Sequence, residues 1–244
     1  MGVNLITAGD ELLLGRRQFG FFDDFLTFTT ADLWTTATSA DGTAALDTTT
    51  PTGGVLKMHT ADASAAGNEA IVVATTGELF KIADGKPLMC EAKIKYAEAA
   101  TSAANVFFGF ADAIAAGTCQ DNGGGPPASY SGACFFKVDG GTRWNVESSD
   151  GSTQENAELT NANSLDRVEK LCSATASFQT FRIEIVPTSS TRADFSFYID
   201  GTLVKKLDNT YSSATDMDLG IVVKDGGTDE ETLYVDYIAA YQLR

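Results

Sequence analysis

The sequence predicts an all-β chain, an antiparallel β-sandwich, and its last quarter carries the three observations that predict it. Phe181, Ile183 and Ile185 alternate with Arg182, Glu184 and Val186, and Phe195, Phe197 and Ile199 alternate with Ser196, Tyr198 and Asp200. Period two over such runs marks strands with one buried face. Asp200-Gly201 lies between FSFYI and TLV; a two-residue type I′ turn needs φ > 0 at both central positions, which Asp and Gly tolerate. The closing run LYVDYIAAYQ brings the chain back into the sheet. The inter-sheet core is expected to draw on Phe181, Ile183, Ile185, Phe195, Phe197, Ile199, Leu233, Val235 and Tyr237.

The remaining elements follow in chain order. Residues 1–20 lack the alternation and read as an N-terminal arm, with an apolar patch, Leu12, Leu13 and Leu14, beside Arg16 and Arg17. The sandwich domain is expected over residues 21–244, with its first strand at FFDDF and Trp34 in the second strand or its lead-in. Residues 35–66 read as short strands with turns at Asp41-Gly42 and Gly53-Gly54. IVVAT, MCEAKIKYAE and VFFGFADAI read as strands; Glu91, Lys93 and Lys95 share one face, and Gly109 marks a close approach of neighbouring backbone. Residues 113–131 form a long Gly/Pro loop, and CFFKVDGGTRWNV a hairpin around Asp139-Gly140-Gly141. ENAELTNANSLDRVEKLCSA is the one candidate for a short helix. No period of ~20–50 residues repeats, which argues against a solenoid or propeller.

A chain of 244 residues without a Pro- or Ser-rich linker fits one large sandwich domain. Its 17 Lys and Arg face 33 Asp and Glu, a net charge of -16. That balance argues against nucleic acid and anionic membrane as partners; it suits solubility or an outward-facing particle surface. No stretch is apolar and long enough to span a bilayer. The N-terminus does not read as a secretory signal, because Asp10 and Glu11 interrupt the apolar part and the Arg pair follows it. Cys90, Cys119, Cys134 and Cys172 form no CxxC pair, and the single His59 cannot complete a Cys/His zinc site. Cys90 and Cys134 read as small core hydrophobes; Cys119 and Cys134 flank a loop that a disulfide would close, and the spacing leaves that open.

Catalytic signatures are sparse. His59 has no Ser or Cys elbow beside it, and the run Gly123-Gly124-Gly125-Pro126-Pro127 has no following Lys-Ser/Thr for a phosphate loop. Asp229-Glu230-Glu231 is contiguous, so alternation sends neighbours to opposite faces, and it reads as a solvated loop.

The order strand, FYIDGTLV hairpin, LGIVV strand, YVDYIAAYQ strand resembles the concanavalin A-like, laminarinase-type jelly roll. Carbohydrate-binding modules, glycoside hydrolases and virion proteins share that sandwich. Gly85-Lys86-Pro87, Glu91-Ala92-Lys93-Ile94-Lys95 and Gly109-Phe110-Ala111-Asp112 are similar to patterns in tailed-bacteriophage head proteins of this fold. Laminarinase-type hydrolases place their acid and nucleophile on one strand as Glu-x-Asp-x-x-Glu; this chain has lysines after Glu91 instead, no strand is expected to carry paired carboxylates at alternating positions, and no enzyme is expected. Related jelly rolls hold a structural calcium with the Asp of the final strand, which matches Asp236; the alternative is a hydrogen-bonded strand aspartate, and no other cofactor is implied. The resemblance implies a non-catalytic structural protein that decorates or cements a bacteriophage capsid. Such a protein is made in the host cytoplasm and sits on the capsid exterior. Its partners would be the major capsid protein lattice, held through Leu12, Leu13, Leu14, Arg16 and Arg17, and a second copy in a homodimer. The alternatives are a lectin-like carbohydrate-binding module or receptor-binding virion protein, with Trp34 or Trp144 as the ring that stacks on sugar unless it packs in the core, and a divergent glycoside hydrolase.

Overall fold

The computed structural model describes residues 18–38, 42–49, 54–60, 69–98, 103–120, 123–172, 177–226 and 230–244. The arm residues Leu12, Leu13, Leu14, Arg16 and Arg17 lie outside them. Sixteen strands are present among the described residues. The first eight are β1 (Gln18–Asp23), β2 (Trp34–Thr38), β3 (Thr43–Leu46), β4 (Leu56–His59), β5 (Ala70–Thr75), β6 (Phe80–Lys81), β7 (Leu88–Glu98) and β8 (Ala104–Ala111). The rest are β9 (Ser131–Lys137), β10 (Asn145–Asp150), β11 (Gln154–Glu158), β12 (Gln179–Pro187), β13 (Arg192–Ile199), β14 (Thr202–Thr210), β15 (Asp216–Asp225) and β16 (Glu231–Leu243). β1 opens at Gln18, within the last residues of the stretch read as an arm.

Two antiparallel sheets face each other. The first runs β14-β13-β12-β7-β16-β4-β3, with β1 also paired to β16; the second runs β11-β10-β9-β8-β15-β5-β2, with β6 paired to β15. Between them lie Phe108, Phe110, Phe135, Ile183, Phe195, Phe197, Ile221 and Leu233, each almost without solvent exposure. Phe135 bridges the layers, edge-on to Phe181 at 5.2 Å and to Phe197 at 5.3 Å. The β13–β14 hairpin turns through Asp200 and Gly201 at φ 50° and 76°, as the dipeptide predicts. At Gly109 a Cβ would stand 2.2 Å from the Ala133 carbonyl oxygen, so β8 and β9 meet there because no side chain intervenes.

Two expectations are corrected. Tyr237 is not a core residue. A register shift on β16 between Val235 and Tyr237 inserts one residue, so Asp236 and Tyr237 both turn to the solvent side. The candidate helix does not form: Gln154–Glu158 is β11, and hydrogen bonds from Asn163 and Ser164 to the Thr160 carbonyl turn the chain after it. Leu165, Val168 and Leu171 have the spacing of a helical stripe, but all are exposed and have no core to face.

Candidate functional site

Alternation sends Met89, Glu91, Lys93 and Lys95 of β7, and Thr180, Arg182, Glu184 and Val186 of β12, to the solvent side of the first sheet. Tyr198 joins them from β13, and the β16 bulge adds Asp236 and Tyr237. The strand register aligns Glu91, Arg182 and Tyr198 in one row across three strands. Tyr237 Oη donates to Glu91 Oε1 at 2.7 Å, and Tyr198 Oη to Glu184 Oε2 at 3.0 Å. The Arg182 guanidinium lies 4.2 Å from the centre of the Tyr198 ring, with its Nε 3.2 Å from Glu184 Oε1. Phe22 of β1, 58% exposed, packs on Tyr237 with ring centres 5.4 Å apart. Burial, then the Glu91 carboxylate, pushes the Tyr237 phenol up to about 12. Burial, then Glu184, raises that of Tyr198. Both phenols therefore stay protonated near neutral pH and act as donors. One end of this face opens into an apolar groove of ≈ 460 Å³ lined by Met89, Val186, Tyr241 and Leu243.

Asp236 does not fit a calcium site. Its Oδ2 lies 2.6 Å from Lys93 Nζ, so an ammonium already occupies the position that a cation would take. Among the described residues no group of three or more His, Cys, Asp or Glu could hold a metal ion. Trp144 is buried at 3% exposure, with its ring centre 4.8 Å from that of Phe181, and offers no face to a sugar. Trp34 is also buried; its Nε1 donates to Asp23 Oδ2 at 2.6 Å and ties β2 to the end of β1. His59 Nδ1 is 2.9 Å from Thr232 Oγ1, and its Nε2 is 3.6 Å from Glu230. Glu231 is fully buried at the start of β16 rather than solvated in a loop; Asp229 lies outside the described residues.

The outer face of the second sheet is apolar and covered. Phe107, Cys134, Phe136 and Val222 point outward and are packed beneath Ile114, Cys119 and Tyr130 from the segment joining β8 to β9. All four cysteines are buried free thiols; burial pushes Cys119 up to about 12. One carboxylate, Glu147 of β10, sits in this layer at 4% exposure. Gln154 Nε2 donates to it at 3.0 Å, and burial pushes its carboxyl up to about 7. The expectation that no strand carries paired carboxylates needs correcting. Asp216 and Asp218 occupy alternate positions of β15, and the spacing in DMD was the overlooked signal. Asp216 is held by Lys81 Nζ at 3.2 Å. Asp218 accepts weakly from Thr75 Oγ1 at 3.4 Å, and burial raises its carboxyl.

No protein-family model matches the chain, and no curated protein matches its sequence. Solved structures do match its fold. The endo-1,3-beta-glucanase of Streptomyces sioyaensis is 16% identical with a TM-score of 0.58, over 93% of this chain and 96% of that one. The Emp47p carbohydrate recognition domain is 11% identical with a TM-score of 0.55, over 92% and 96%. SO2946 of Shewanella oneidensis MR-1, a protein of unknown function, is 12% identical with a TM-score of 0.54, over 100% and 97%. The fold is that of the concanavalin A-like jelly rolls. At these identities the likeness is one of fold, and the side chains of the site are this chain's own.

Proposed function

We propose that this chain is a non-catalytic, lectin-like carbohydrate-binding module that holds a sugar chain across the outer face of its first sheet. The observation that carries this is the interleaving of rings and hydrogen-bonding groups there: Phe22, Tyr237 and Tyr198 alternate in space with Glu91, Arg182 and Glu184. Aromatic faces suit the apolar faces of pyranose rings, while paired carboxylates and phenols suit hydroxyls. The structures of similar fold include a carbohydrate recognition domain and an endo-1,3-beta-glucanase, which fits a sugar ligand. Asp216 and Asp218 are assigned a structural role, since Lys81 and Thr75 engage them at the margin of the sheet. Titration with a panel of neutral and acidic oligosaccharides tests the reading. Binding that falls at least tenfold in Tyr237→Ala, with no sugar released over the incubation, is the expected result. Product release that disappears in Glu91→Gln or Asp218→Asn would make the chain a hydrolase, and no binding to any glycan would end the carbohydrate reading.

A second reading, a capsid-decorating virion protein, is favoured by the exposed apolar residues Val186, Tyr241 and Leu243 at the end of the face where residues 1–17 join β1. In this reading Leu12, Leu13, Leu14, Arg16 and Arg17 anchor a homodimer to the capsid lattice, the arginines pairing with carboxylates. Deleting residues 1–17 should leave the melting temperature unchanged and abolish binding to undecorated heads. Wild-type occupancy of heads by the truncated chain would rule out the arm as anchor.

A further inference from the structure

Two lysines flank one ring at the far end of the same face. Tyr234 of β16 is paired with Lys57 of β4 on one side and Lys95 of β7 on the other. Adjacent strands lie ~4.8 Å apart, so the lysine backbones stand roughly 10 Å apart with the ring between them. Lys95 Nζ lies 4.0 Å from the centre of the Tyr234 ring and 5.4 Å from that of Phe178. Lys93 is the third cation at this corner, 5.4 Å from the Phe178 ring and paired with Asp236.

Both lysines of the row differ in their partners from seven other cations of the chain. Lys81, Lys93, Arg143, Lys170, Arg182, Arg192 and Lys206 all have a carboxylate at ion-pair distance. Among the described residues no carboxylate stands at that distance from Lys57 or Lys95, although the chain has 33 acidic residues against 17 basic ones. Like charges along one row of a sheet repel, and among the described residues neither lysine of this row has the carboxylate that seven other cations hold. Long-range repulsion from the net charge is screened beyond ~8 Å at physiological ionic strength, so the local lysines dominate what an incoming anion meets.

We propose that Lys57, Tyr234 and Lys95 form a subsite for an acidic sugar unit, a pyranose carrying a carboxylate or a sulfate. Tyr234 and Phe178 give apolar faces to the ring, and the two ammonium groups donate to the anionic group from either side. The inference rests on the carbohydrate-binding reading above and names the ligand class for it.

The test is calorimetric titration of the full chain with oligogalacturonate, a sulfated galactan oligosaccharide and a neutral β-glucan oligosaccharide. Binding of either or both acidic sugars more tightly than the neutral one is expected, and which of the two binds separates carboxylate from sulfate. Lys57→Gln and Lys95→Gln should each weaken the acidic ligand roughly threefold, the size of an exposed ion pair. The double variant should weaken it about tenfold, while Lys86→Gln in the turn before β7 changes nothing. Melting temperatures equal to wild type would show that the variants fold. Neutral glucan bound as tightly as the acidic sugars, or acidic binding unchanged in the double variant, overturns the subsite and leaves the carbohydrate reading standing. No binding to any of the three overturns both.

Discussion

Glu147 shows how much the surroundings of one residue can alter its chemistry. It lies beneath Tyr130 and beside Cys134, and its carboxyl is pushed up to about 7 mainly by burial. A carboxyl titrates near ~4.3 in an unfolded chain, so between that value and about 7 the folded state binds more proton than the unfolded one. Stability therefore falls as pH rises through that window and levels off above it. Glu147→Gln keeps the shape and removes the titration. Its melting temperature, measured from pH 4 to pH 8.5, should exceed that of wild type at the alkaline end and converge with it at the acid end. A gap that stays constant with pH would count against this account. Phe197 tests the core at the same scale. It is fully buried against Phe135, and Phe197→Ala should cost about 3–5 kcal/mol in chemical denaturation.

Glycine positions decide the geometry of two elements. Gly201 turns the β13–β14 hairpin at φ 76°, and nothing lies within 4 Å of where its Cβ would be. Gly201→Ala is thus a test of backbone strain without a clash, and should destabilise by about 1–2 kcal/mol. Gly109 is the opposite case. An added Cβ meets the Ala133 carbonyl oxygen at 2.2 Å, and β8 must separate from β9. Gly109→Ala should cost about 2–3 kcal/mol or more, and faster amide exchange should appear first in β8 and β9. Equal losses in the two variants would mean that the close approach is not what Gly109 provides.

Across the whole molecule, the last strand is the keystone of the first sheet. β16 pairs with β7 on one side and with β4 and β1 on the other, so it joins the chain's end to its beginning. The sheet cannot close until Glu231–Leu243 is in place. Folding is expected in the slow range typical of all-β topologies rich in distant pairings. A chain ending at residue 230 should lose its near-ultraviolet circular dichroism and give a collapsed amide proton spectrum. Native-like dispersion in that truncated chain would show that the remaining strands suffice.

The sequence by itself determined whatever depends on neighbours along the chain. Alternation at Phe181–Val186 and Phe195–Asp200 set which side chains face the core, and Asp200-Gly201 set the turn, because both follow from the local backbone. The covalent order of residues also left Gly109 as a place for close approach. What only the tertiary structure decided was which strands lie side by side. Lys57, Lys95 and Tyr234 are far apart in the chain and share a row because β4 and β7 both pair with β16. The bulge that turns Tyr237 out of the core beside Asp236 comes from register against β7, which no local pattern encodes. Trp144 reads as a candidate sugar platform from its loop, and becomes core because β12 brings Phe181 against it. The acids of DMD line up on one face of β15, yet Lys81 and Thr75 engage them once β6 and β5 pack alongside. Strand order and register are settled by the packing of two whole sheets, so no window of neighbouring residues could have shown them.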